Sequence, residues 1–313
     1  MPNQVQKLCD ALMEAAWLAA LVVVPLYFNV FSQRVFEPDK IALLRSLALV
    51  ALVAWVVKQI DRFGQGEEAP AASGEAAIPL WRRPLALPVL ALAAVYLIST
   101  VLSVTPRQSF WGSYQRLQGT FTMFSYIILF FVTLDTLRTS AQWRRLQYAI
   151  LLTSVPIALY GIFQLEGIQL DPLPWGGDTS QRVAGNMGNA IFLAAYLIMA
   201  LPLTVERLIS AGQKMLLDAQ GSTADALTAG VLLFVLLLQA AAIFFTQSRG
   251  PWLGLAAGGY IFLLLGLTSL RQQAPRQGPL LPAEYGLGAG MGVAGLALLG
   301  LGILALLRIE GLG

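Results

Sequence analysis

The sequence predicts an all-α, polytopic integral membrane protein of about nine transmembrane helices, a single helical domain over 1–313 with its N-terminus in the cytoplasm. Three observations carry this. Hydrophobic residues make up 57% of the 313 positions and charged residues only 12%, against about 25% charged in soluble domains. Apolar runs near the ~20-residue length needed to cross a bilayer recur along the whole chain. No stretch between them has the composition of a folded soluble domain.

The predicted spans lie near 12–32, 41–60, 84–104, 121–138, 146–165, 188–206, 227–247, 251–270 and 285–307. Each is rich in Leu, Ala and Val. A helix satisfies all of its backbone groups within the segment, as hydrocarbon surroundings demand. Pro25, Pro156 and Pro202 fall inside spans, where neighbouring helices tolerate the kink. The N-terminal apolar run has no small-residue cleavage site behind it and is not read as a removable signal. Between the second and third spans, 61–83 contains the polar, low-complexity stretch GQGEEAPAASGEAAIPL, which reads as a cytoplasmic linker. Outward loops are expected at 105–120, 167–187 and 247–251.

Orientation follows from lysine and arginine. With the N-terminus inside, twelve of the 20 basic residues face the cytoplasm, in clusters such as RRP and WRR. The outward ones are Arg34, Lys40, Arg45, Arg107, Arg116, Arg182, Arg249 and Arg308, mostly single arginines among glycines and aromatics. The net charge of +3 is too small and too dispersed for a nucleic-acid partner. Cys9 is the lone cysteine and histidine is absent, so no internal disulfide, cysteine-based metal site or histidine base is expected. Neither a metal nor a cofactor is predicted. Membrane lipid is the first expected partner.

Three outward segments carry chemistry. In TPRQSFWGSYQRLQGTF (105–121), Trp111, Tyr114 and Gln118 surround Arg116. Aromatic faces beside amides suit a saccharide, whose C–H faces stack while its hydroxyls seek hydrogen bonds. An interfacial aromatic belt is the plainer reading of Trp111 and Tyr114. In LDPLPWGGDTSQRVAGNMGNAIFLAAYL (170–197), Arg182 precedes a helix start marked by Asn186, Gly188 and Asn189. Free N–H groups at a positive helix end would make an anion site there; a simple cap also accounts for Asn189. In TQSRGPWLGL (246–255), Pro251 suits a first helical turn. Arg249 would then lie at that helix's N-terminus beside Gly250, which permits close approach of a ligand. A guanidinium offers donors in a plane matched to phosphate oxygens. Held near the hydrocarbon, it is costly without an anion. Snorkelling is the competing account.

The stretches WGSYQRLQGTF (111–121), RVAGNMGNAIFLAAYLIMALPL (182–203) and FTQSRGPWLGLAAG (245–258) resemble, in this order, the bacterial O-antigen ligase and O-antigen polymerase superfamily. That resemblance implies transfer of a saccharide from a polyprenyl-diphosphate donor to a saccharide or lipid acceptor at the outer face of the cytoplasmic membrane. It implies that Arg249 and Arg182 hold the donor diphosphate, with Arg116 a less close match. The family's base is a histidine in a large outer loop, and this chain has no histidine. The expectation is that LLRIEGLG begins that loop, that further spans follow Gly313, and that the catalytic base lies outside these residues. Glu166, Asp171 and Asp178 are outward carboxylates better suited to turns and caps than to the role of base. Two other classes compete. A secondary transporter of an organic anion would need ionisable groups at mid-span, and a non-catalytic scaffold subunit would set its arginines against lipid phosphates.

Overall fold

A computed structural model describes residues 3–29, 31, 36–64, 83, 85–165, 182–217 and 223–273. Among them the chain is all helical: α1 Gln4–Leu26, α2 Pro38–Gly64, α3 Ala86–Val101, α4 Pro106–Trp111, α5 Thr120–Thr136, α6 Ser140–Phe163, α7 Ala190–Leu217, α8 Thr223–Phe245 and α9 Arg249–Gln273. Five of these (α1, α2, α6, α7 and α8) are long and apolar enough to cross a membrane, while α3 and α5 are apolar but shorter. Helix α9 has 25 residues, its apolar character diluted by Gly250, Gly254, Gly258, Gly259 and Gly266. Most of the linker at 61–83 and of the loop at 167–187, Glu166, Asp171, Asp178, Arg34, Arg308 and the span expected at 285–307 lie outside the described residues.

The hydrophobic side chains face outward to a degree no water-soluble bundle would tolerate. Only 22–39% of the most apolar window of each spanning helix is buried within the protein. Helix α3 buries Ala86 alone. These surfaces contact lipid.

The chain forms two compact units, divided between Thr153 and Ser154 within α6. In the first, α1 starts at Gln4, earlier than its apolar run, because the Asn3 side chain accepts the Gln6 N–H at 2.8 Å and caps it. Its buried residues Gln6, Cys9, Met13, Ala16 and Trp17 recur at helical spacing on one face. That face meets α2, whose Ala48, Ala51 and Ala54 let the two backbones approach closely. The pair is antiparallel. Asn3 and Gln6 donate to Asp61 at one end, and Lys40 donates to the Pro25 carbonyl at the other. Lys58, buried, pairs with Asp10. Helix α5 closes the core with Val132, and Thr136 accepts from the Trp17 indole at 3.2 Å.

The second unit packs α7 on α8 and, less extensively, on α9. Its core joins Ile157 and Ala158 of α6, Leu193 and Leu197 of α7, and Leu238, Ala242 and Ile243 of α8. Val183, from the loop before α7, is fully buried in the same cluster. In mid-span, Gln239 donates to Ser154 at 2.8 Å and accepts from Thr204 at 2.9 Å, and all three are completely buried. One amide thus links three helices with its polar atoms satisfied, as an apolar surround requires.

Candidate functional site

The first candidate loop, between α3 and α5, is held from beneath. Arg45 sits two turns into α2, only 9% exposed. Its Nε donates to Thr122 at 2.9 Å, and one terminal nitrogen donates to the carbonyls of Trp111 at 2.9 Å and Leu117 at 2.6 Å. The guanidinium also lies 4.7 Å from the centre of the Phe121 ring. Thr122 adds a bond of its own to the Leu117 carbonyl at 2.6 Å. Leu117 adopts a left-handed backbone, φ +50°, a conformation uncommon for a branched side chain and kept here by bonds converging on its carbonyl. Where the loop closes, Gly112 and Gly119 pass so near each other that a Cβ on Gly112 would come within 2.5 Å of the Gln118 nitrogen. A Cβ on Gly119 would overlap the backbones of Gly112 and Phe110.

The loop presents two faces. Trp111 and Tyr114 line a groove of about 520 Å3 with Arg107, Gln108 and Ser113. Gln118 and Arg116, expected beside them, do not line it. Gln118 is exposed, and Arg116 lies 3.7 Å from the buried Oε2 of Glu37, in an ion pair solvated on the arginine side. Trp111 also packs edge-on against Phe110 and Phe121, so its ring is partly structural.

The second candidate site belongs to the other unit. Between α8 and α9 the chain turns through Gln247, φ +48°, into a helix that opens at Arg249. The Ser248 carbonyl accepts the Trp252 N–H at 3.2 Å, which fixes the first turn of α9. Trp252 bonds its indole N–H back to the Ile243 carbonyl at 3.2 Å and stacks on Phe244, clasping the turn from α8. Arg182 reaches this turn from the loop before α7. Its Nε donates to the Thr246 carbonyl at 3.1 Å and a terminal nitrogen to the Ser248 hydroxyl at 2.9 Å. The next residue, Val183, bonds its N–H to the Phe245 carbonyl at 3.3 Å.

Arg182 and Arg249 therefore line one hollow of about 510 Å3, together with Ser248, Gly250 and Pro251. Both arginines are exposed, and among the described residues neither has a carboxylate partner. Positive charge at a helix N-terminus runs against the dipole. Two guanidiniums beside that end make a local excess of positive potential that an anion would relieve.

The GNMGN segment lies next to this turn with a different geometry. Gly185–Met187 forms a single 3-10 turn; Gly185 and Gly188 have φ of +58° and +70°, values glycine adopts freely. Asn186 is buried at 6% exposure. Asn189 accepts the Ile191 N–H at 2.9 Å on its side chain and caps α7. None of Asn186, Gly188 and Asn189 lines the hollow, whereas Gly250 does. What positions the segment is Gln164, at the end of α6. Its side-chain amide oxygen accepts the N–H groups of Ala184 and Gly185 at 3.0 and 2.8 Å. Gln164 and Arg45 escaped the sequence reading as organisers. Arg45 carried a visible signal, a charge within an apolar helix; Gln164, at a helix end, carried none.

Comparisons with family models, with curated proteins and with solved structures found no match to this chain.

Proposed function

We propose that this chain is a multi-pass protein of the bacterial cytoplasmic membrane, N-terminus inside, that takes part in moving a saccharide from a polyprenyl-diphosphate donor to a saccharide or lipid acceptor at the outer face. In this reading α9 and the segment 285–307 complete about nine spans. The observation that carries the proposal is the pair Arg182 and Arg249 at one hollow, beside the N-terminus of α9 and without a carboxylate partner among the described residues. The order of the three quoted stretches supports the same reading.

The chemistry is an inverting displacement at the anomeric carbon. The acceptor hydroxyl oxygen forms the new bond to that carbon while the bond to the diphosphate oxygen breaks, and the electron pair leaves with the diphosphate. Charge grows on the departing oxygens, where Arg249 and the uncommitted donors of Arg182 meet it. Two of the Arg182 N–H groups hold the turn, so this side chain is already oriented before a ligand arrives. The acceptor proton passes to a base that no described residue is assigned to supply. In the first unit, the groove bearing Trp111 and Tyr114 offers stacking faces and an amide to a sugar ring.

Binding of a polyprenyl-diphosphate analogue to the purified protein in detergent tests the proposal. Removing one charge-assisted contact by Arg249→Ala should weaken binding about 10- to 100-fold. The corresponding monophosphate should bind more weakly than the diphosphate. Equal affinity of wild type and Arg249→Ala would remove the clamp and with it the assignment.

A further inference from the structure

A second groove of the first unit lies away from both candidate sites. It is a groove of about 590 Å3, lined among others by Trp17 and Leu21 of α1, Tyr126 and Phe130 of α5, Leu137, and Leu146 of α6. This is within the size range of small-ligand pockets. Its walls are almost wholly hydrocarbon. The polar groups among the lining side chains are the Tyr126 and Thr133 hydroxyls and the Trp17 indole N–H, and the last donates to Thr136.

One end of the groove is strongly cationic. Leu137 and Leu146, both lining residues, are followed and preceded by Arg138 and Arg145. Arg145 pairs with Glu14 at 2.5 Å, and Glu14 stands three residues from Trp17, on the same face of α1. Gln142 donates to Glu14 at 3.1 Å and accepts the Arg138 N–H at 3.0 Å, tying these residues into one rim. Arg138 and Arg83 share a single carboxylate oxygen of Asp135, at 3.0 and 3.3 Å. Arg144 is exposed and has no carboxylate partner among the described residues. Arg83, Arg138 and Arg145 thus share two carboxylates, and Arg144, next in the chain to Arg145, adds a fourth guanidinium, leaving a surplus of positive charge beside the end of an apolar trough.

We infer that the groove between α1, α5 and α6 is a binding site for an anionic phospholipid, an acyl chain lying along Trp17, Phe130 and Leu146 and the phosphate headgroup facing Arg138, Arg144 and Arg145. The hydrocarbon walls select a chain, and the surplus of positive charge selects the headgroup. Neither feature alone would do both. A zwitterionic lipid of the same chains satisfies the trough and leaves the charge surplus, so the preference is a matter of headgroup. The site is independent of the glycan-transfer reading and stands or falls separately from it.

Native mass spectrometry of the full protein, exchanged into mixed micelles of phosphatidylglycerol and phosphatidylcholine with identical chains, tests this. Retained phosphatidylglycerol should exceed phosphatidylcholine by about fivefold for each arginine that meets the headgroup. Arg144→Gln, which breaks no described ion pair, should reduce that preference while leaving total retained lipid unchanged. Ala20→Trp, which fills the groove, should reduce retention of both lipids. Equal retention of the two lipids by the wild-type protein would overturn the inference without any variant being needed. So would a preference untouched by both Arg144→Gln and Arg138→Gln, or a protein–protein dimer that holds no lipid at this groove.

Discussion

Two loops of this molecule are built around arginine, and they use it in opposite ways. Beneath the loop at 111–119, Arg45 is buried and spends its donors on two carbonyls and a hydroxyl, while Arg116 above it meets Glu37. At the turn between α8 and α9, Arg182 commits two donors and Arg249 makes no ion pair among the described residues. In one place the charge has become scaffolding. In the other it stays available. A charge in an apolar chain is therefore informative only together with a list of what it already touches.

Arg45→Met should destabilise the first unit by about 3–5 kcal/mol, because two carbonyls and Thr122 lose a charge-assisted donor and are left unsatisfied. Thermal unfolding in detergent would show it, and accelerated proteolysis within 111–119 would locate it; an unchanged melting temperature would mean that Arg45 does not hold the loop. Next in size is Gly119→Ala. Its Cβ would overlap the opposing backbone, and a loss of about 2–4 kcal/mol in the same melt is expected.

The available arginines should behave otherwise. Arg182→Ala should lower stability by about 1–2 kcal/mol, since two hydrogen bonds go. Arg249→Ala should shift it by no more than about 0.5 kcal/mol while impairing diphosphate binding. That split between melting and binding sharpens the contrast, and a large stability loss in Arg249→Ala would erase it. The smallest effect belongs to Arg116→Ala. With the two groups 3.7 Å apart and the arginine 67% exposed, the pair contributes about 0–0.5 kcal/mol, and raising the salt concentration should reduce it.

Much of the fold was legible because hydrocarbon imposes a simple rule of length. Eight of the expected spans coincide with helices, α1 to α3 and α5 to α9, although only five of these helices reach full spanning length with strong apolar character. Their ends were harder to see. Helix α1 begins at Gln4 and α7 continues to Leu217, through Glu206 and Arg207, because polar residues at membrane edges find partners that a count of apolar residues ignores. At the candidate site, Arg182 and Arg249 were visible as isolated charges. The role of Arg45 was not, since the carbonyls it holds lie 66 and 72 residues away along the chain. The groove at α4 shows the same gap. Arg107 and Gln108 line it with Trp111 because α4 is helical, a property six residues within a polar loop do not announce.

The amide of Gln239, held between Ser154 and Thr204, works as a pin through three helices. If α8 slid or turned relative to α7 or to the part of α6 that begins at Ser154, its polar head would be left stranded in oil, so the pin opposes such sliding. Helix α9 contributes nothing to the pin and touches α7 where bare Gly254 rests on the tip of Ile198, at 3.5 Å from the position a Cβ would take. The floor of the hollow around Arg249 is nevertheless moored to the pinned helices, because Trp252 in the first turn of α9 bonds the Ile243 carbonyl of α8 and stacks on Phe244, and Leu255 packs against the shared core.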